Sequence, residues 1–183
     1  MTGMTMIFLA QPFLSSVASA SAQQPQPKSF EDWCRQREYV LAATIRTIDV
    51  LLEKAVTQDC KLADRKLKTL TILDLVSYDI SDLKPLAKFT NLTKLDLGGN
   101  QISDLKPLVG LTKLTRLDLS SNRISDVKPL AGLTQLTELG LSGNQIGNLK
   151  SLAGLSKLTR VLLDENPLAV KVCPVKPASI CRF

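Results

Sequence analysis

From Leu70 onward, the apolar positions of the chain return in register every 22 residues, and the register needs no gaps. The units are LTILDLVSYDISDLKPLAKFTN, LTKLDLGGNQISDLKPLVGLTK, LTRLDLSSNRISDVKPLAGLTQ and LTELGLSGNQIGNLKSLAGLSK, followed by an incomplete fifth, LTRVLLDENPLA. A period of this length marks a stack of like units, each too small to bury its own apolar face. Leucine at the first, fourth and sixth places (Leu92, Leu95 and Leu97 in the second unit) is placed to point inward from a short strand. The ninth place holds Asn100, Asn122, Asn144 and Asn166, with Tyr78 in the first unit. A ladder of amides there can satisfy backbone groups freed where each strand turns away, because unpaired buried polar groups are costly. Pro85, Pro107 and Pro129 open the return segment, and Leu86 with Phe89, like Leu108 with Leu111, recurs at i, i+3. A proline in a first turn loses no hydrogen bond, so one short helical or 3₁₀ turn is predicted. Each unit thus reads as strand, turn and brief helix, an α/β arrangement with a parallel sheet along one side.

Two helices are predicted before the repeats. Ser29, followed three residues later by Asp32, has the form of a capping box, and Phe30, Trp33, Cys34 and Arg37 share one side of the helix that follows. Leu41, Ile45, Ile48, Leu52 and Ala55 recur at four-three-four-three spacing, the stripe of a second amphipathic helix. Together they form a lid for one open end of the stack. Ahead of them, Gln23 to Pro27 is a polar, proline-bearing linker. The first 22 residues carry no charged side chain, run apolar from Met6 to Val17 and end in small residues. Ala20-Ser21-Ala22 fits the A-x-A rule, so a signal peptide cut before Gln23 is expected. Its uninterrupted apolar stretch falls short of the roughly 20 residues that span a bilayer, so no transmembrane anchor is expected. The predicted division is 1–22 signal peptide, 23–28 linker, 29–69 helical cap, 70–169 repeats (four full, one partial) and 170–183 C-terminal cap.

Composition narrows the function. Only 4% of residues are aromatic, so the core must be layers of leucine and isoleucine. Histidine is absent, which removes the commonest general base and metal ligand. No nucleophile with a base, phosphate loop or metal cluster stands out, so neither catalysis nor a cofactor is expected. The net charge of +6 is spread along the chain, without the basic run or interleaved aromatics of a nucleic-acid binder.

The unit L-T-x-L-x-L-x-x-N-x-I-S-D-x-x-P-L-x-x-L-T-x resembles the 22-residue leucine-rich repeat of bacterial internalins and of a eukaryotic regulatory subunit of protein phosphatase 1. The match runs from Leu70 to Asn166. It implies a right-handed leucine-rich-repeat solenoid with short parallel strands on the concave side, 3₁₀ or short helical turns on the convex side, and an N-terminal helical cap. It also implies that the concave sheet holds protein partners. The flanking segments are similar to the caps of small secreted bacterial proteins of this type. Tyr78 departs from the ladder, and so few repeats make only a short arc.

In such a stack the pairs Cys34, Cys60 and Cys173, Cys181 sit at opposite ends, roughly 20 Å apart at about 4.8 Å per strand. A disulfide needs Cα atoms within about 7 Å, which leaves Cys34 with Cys60 and Cys173 with Cys181. A zinc site is the alternative, with neither the usual spacing nor histidine to help. The third place of each unit reads Ile72, Lys94, Arg116, Glu138 and Arg160, and the fifth Asp74, Asp96, Asp118, Gly140 and Leu162. Both columns share the concave face. Lys94 beside Asp96 and Arg116 beside Asp118 are placed to neutralise the acidic column. The other readings are partner contact through Asp74, Lys94, Asp96, Arg116, Asp118, Glu138 and Arg160, and a calcium site on the three aspartates. The leading expectation is a secreted or periplasmic module that binds a protein partner through this sheet. The alternatives are a cytoplasmic regulator or inhibitor of an enzyme, and a structural envelope protein with no discrete ligand.

Overall fold

The computed structural model describes residues 26–183, so the expected leader and the start of the linker lie outside the described residues. Three helices come first: α1 (Phe30–Arg35), α2 (Ala42–Ala55) and α3 (Cys60–Thr69). Six short parallel strands follow: β1 (Ile72–Asp74), β2 (Lys94–Asp96), β3 (Arg116–Asp118), β4 (Glu138–Gly140), β5 (Arg160–Leu162) and β6 (Cys181–Arg182). They lie side by side in chain order in one open sheet. From β1 to β5, residues 22 apart face each other, Leu73 against Leu95 and Leu95 against Leu117. The return segments hold 3₁₀ turns at Lys84–Leu86, Lys106–Leu108, Lys128–Gly132 and Lys150–Leu152, the first three opened by proline. This is the solenoid that the resemblance to leucine-rich repeats implies.

The core is the layering of equivalent apolar places. In the second unit Leu92, Leu95, Leu97, Ile102, Leu105, Leu108 and Leu111 are all buried, and the third and fourth units repeat the set. Each such side chain contributes about 2 kcal/mol by leaving water. Two polar ladders accompany it, one within the core and one at its edge. Asn122 Nδ2 donates to the carbonyls of Leu97 in the preceding unit and of Leu119 in its own, and its Oδ1 accepts from Ile102 N–H. Asn100, Asn144 and Asn166 repeat these bonds. A second ladder sits at the second place: Thr93, Thr115, Thr137 and Thr159 each donate from Oγ1 to the threonine carbonyl one unit back, at 3.0 to 3.1 Å.

Because each asparagine serves the unit before it, the first unit has nothing to serve. Tyr78 takes that place and turns to the cap. Its carbonyl accepts from Arg46 Nε at 2.8 Å, and Lys54 Nζ lies 4.7 Å from its ring centroid. Phe89 likewise stands where later units have leucine, its ring 6.1 Å from that of Phe30 in α1.

The cap differs from the expected pair of helices in two respects. It contains a third helix, α3, whose buried residues are Ala63, Asp64 and Leu67, too sparse among five charged positions to show a period. Its signal was Asp59, whose side chain accepts from Leu62 N–H. The buried face of α2 is also wider than the predicted stripe: Ile48, Leu52 and Ala55 are buried as expected and Leu41 is 76% exposed, but Thr44 and Thr47 are buried as well. Both threonines bond Asp82 of the first unit, through its side chain at 2.6 Å and its carbonyl at 2.7 Å. Polar bonds to the stack thus widen the face that the apolar periodicity marks. Helix α1 starts as expected, with Ser29 Oγ accepting from Asp32 N–H and the Asp32 carboxylate from Ser29 N–H. Arg37 lies beyond α1 in a 3₁₀ turn and pairs with Asp49 at 2.6 Å.

Cys34 is bonded to Cys60 and Cys173 to Cys181, with Cα atoms 5.6 Å apart in each pair. The first ties α1 to the start of α3. The second folds the tail back so that Cys181 and Arg182 extend the sheet as β6, a strand outside the 22-residue period.

Candidate functional site: the concave sheet

Strand alternation turns the fourth-place residue inward and the third and fifth outward, onto the hollow of the arc. The seven residues singled out from the sequence all line one groove there: Asp74, Lys94, Asp96, Arg116, Asp118, Glu138 and Arg160. The groove holds about 410 Å³, and Ile72, Gly140 and Leu162 complete its two columns. Lys94, Arg116 and Arg160 are exposed, while Asp96, Asp118 and Glu138 are half-buried.

The fifth-place aspartates have a local task. Asp74, Asp96 and Asp118 each accept through Oδ1 from the backbone N–H two residues on, at 3.1, 3.0 and 2.8 Å. These bonds turn the chain out of the strand. One carboxylate oxygen of each is used in this way. Burial holds the Asp96 carboxyl above its ordinary pKa, and the Asp118 and Asp74 charges on either side add to that, against the Gly98 N–H and Arg116. The column ends at Gly140, where a Cβ would lie 2.5 Å from Asp118 Oδ1, so glycine leaves room for that carboxylate.

Charge pairing on this face differs from the sequence expectation. Arg116 Nη2 meets Glu138 Oε2 at 3.0 Å, across two strands, not Asp118 in its own. Facing residues on adjacent strands are nearer than residues two apart along one strand, so the third-place column pairs within itself. Among the described residues neither Lys94 nor Arg160 has an ion-pair partner. Among the same residues, no three His, Cys, Asp or Glu side chains are gathered as a metal ion would need. Arg182, facing Leu162 from β6, continues the fifth-place column and pairs with Asp164 at 3.3 Å. It stands 20 residues after Leu162 and not 22, so the period could not find it.

Comparison with known proteins agrees with this architecture. A model of leucine-rich repeats in two copies matches residues 68–110, 90–132 and 112–154. No curated protein matches the chain. Among solved structures, internalin C2 of Listeria monocytogenes is 38% identical with a TM-score of 0.60, over 66% of this chain and 53% of that one. A second Listeria monocytogenes internalin is 39% identical with a TM-score of 0.57, over 59% of this chain and 32% of its own. A leucine-rich-repeat protein of Leptospira interrogans is 34% identical with a TM-score of 0.54, over 58% of this chain and 28% of its own. The chain thus spans about half the length of the first and about a third or less of the others. With its period, parallel sheet and amide ladder, the chain is a leucine-rich-repeat protein of the internalin-like kind.

Proposed function

We propose that the chain is a non-enzymatic, exported binding module that holds a protein partner against the concave sheet. The observation that carries this reading is the groove itself, where seven charged side chains converge and Lys94 and Arg160 project without a partner among the described residues. Ladder asparagines and leucines explain the stack; nothing in the stack requires lysine at 94 or arginine at 160. Asp74, Lys94, Asp96, Arg116, Asp118, Glu138 and Arg160 are the contact set. The solenoid likeness to internalins supports a protein as the partner. Domain limits of 29–69 for the cap, 70–169 for the repeats and 170–183 for the tail, behind a leader at 1–22, belong to the same reading.

Two disulfides support a secreted or periplasmic setting over the cytoplasmic regulator, since reducing compartments keep such thiols free. No helix among the described residues is long and apolar enough to cross a membrane.

The test is site-specific photo-crosslinking in the native host, with the crosslinker at Lys94 or Arg160 and, as the contrast, at Lys128 on the convex side. A discrete adduct from both concave positions, the one from Lys94 abolished by Arg160→Glu, is the expected result. No adduct from any position would favour a structural envelope role, and adducts from Lys128 alone would move the interface off the sheet.

A further inference from the structure

We propose that the groove between α1 and the first two 3₁₀ turns is a second docking site, for an extended acidic peptide. It lies outside the concave groove, shares no lining residue with it and holds about 400 Å³. Helix α1 packs on the turn Lys84–Leu86, and the next turn, Lys106–Leu108, belongs to the same groove wall. The floor is apolar, made by Trp33 with Pro85 and Pro107. Lys28, Lys84, Lys88 and Lys106 line it, against Asp104 as the one acidic lining residue.

Lys84 is engaged with Asp82 at 3.4 Å, while Lys28, Lys88 and Lys106 have no ion pair among the described residues. The Asp104 carboxylate accepts from Lys106 N–H at 2.9 Å, which keeps its charge close to the backbone. An occupant must therefore be acidic. The indole and proline rings call in addition for apolar side chains, which a sulfated or carboxylated sugar chain lacks. An extended peptide alternating acidic residues with prolines supplies both, its rings stacking on Trp33 and its carboxylates reaching the lysines.

Trp33 is the single tryptophan of the chain, so its emission reports this groove and is blind to the concave face. The experiment titrates the full chain with a synthetic octapeptide of alternating Glu and Pro and follows that emission. A saturable change is expected, weakening as salt is raised. Lys88→Glu with Lys106→Glu should weaken binding about tenfold, as reversal of two exposed charges implies, whereas Lys150→Glu should leave it unaltered. These lysines are exposed, so the variants should fold, and a Lys88→Gln, Lys106→Gln pair gives a milder check on the same point. Three results would overturn the proposal: no saturable change with millimolar peptide, equal binding of a Ser-Pro octapeptide, or a response to dextran sulfate alone. The last would mark the patch as a polyanion surface.

Discussion

The middle of the stack and its two ends solve one problem by different means. In the second to fourth units, every strand has a like neighbour on both sides, and identical side chains at identical places serve each other. At the N-terminal end the missing neighbour is replaced by helices: Phe30 meets Phe89, Thr44 and Thr47 hold Asp82, and Tyr78 leaves the amide ladder to meet α2. At the C-terminal end a short tail, folded back by its disulfide, adds a two-residue strand and covers the last unit with less. Asn166 shows the result, being half-buried where Asn100, Asn122 and Asn144 are buried. Repetition supplies the interior cheaply in sequence; the ends need segments of their own.

The strongest way to break this comparison is to remove one rung from the middle. Asn122→Ala strands the Ile102 N–H in the core and takes one of two bonds from each of the Leu97 and Leu119 carbonyls, which keep Asn100 and Asn144, and should cost about 4 kcal/mol. Asn166→Ala, nearer solvent, should cost about half as much. Urea denaturation of both variants checks the ratio; equal losses would mean that burial does not set the value of a rung.

Next come the staples at the ends. Cys34 and Cys60 are separated by 26 residues and Cys173 and Cys181 by 8. If loop closure in the unfolded chain governs, replacing the first pair by alanine should cost about 3.5 kcal/mol and the second about 2.5 kcal/mol. The same denaturation series ranks them. A larger loss from the tail pair would show that β6 and the last unit depend on that bond for their fold, over and above chain entropy.

A smaller effect tests the threonine ladder. Thr115→Val keeps shape and removes one bond, from Oγ1 to the Thr93 carbonyl at 3.0 Å, so about 1 kcal/mol should go. No loss would assign the second-place threonine to strand propensity alone.

What the sequence made legible follows the same division. Leucine layers, the amide ladder, the proline-led turns and the concave columns were readable because 22-residue recurrence isolates them from noise. The disulfide pairing was readable from the length of the stack. Helix α3 was not, because Lys61, Arg65, Lys66 and Lys68 leave too few apolar positions for a period. Strand β6 was not, because it stands out of register, and the face of α2 was legible only in part, because Thr44 and Thr47 are buried beside its apolar residues through their bonds to Asp82. On the concave face, membership was legible and pairing was not. Arg116 chooses Glu138 by proximity across strands, which no reading along a single strand reveals.

The smallest predicted effect bears on why the concave charges are there at all. Asp96 titrates above its ordinary value, chiefly because burial disfavours the carboxylate, with Asp118 and Asp74 opposing it from both sides. A raised folded-state pKa means that its contribution to stability is present in full below pH 3.8 and is lost as pH rises through the raised value. Asp96→Asn keeps an oxygen to accept from Gly98 N–H and removes the charge. The variant should therefore match the parent at pH 3 and be the more stable of the two at pH 7, as read from denaturation midpoints at both. A variant less stable by the same margin at both values would instead make the carboxylate a turn-forming group whose charge is immaterial. If the expected gain at pH 7 appears, the fold keeps at Asp96 a charge that weakens it slightly. The column of three aspartates then has its explanation outside the stack, in what the concave face meets.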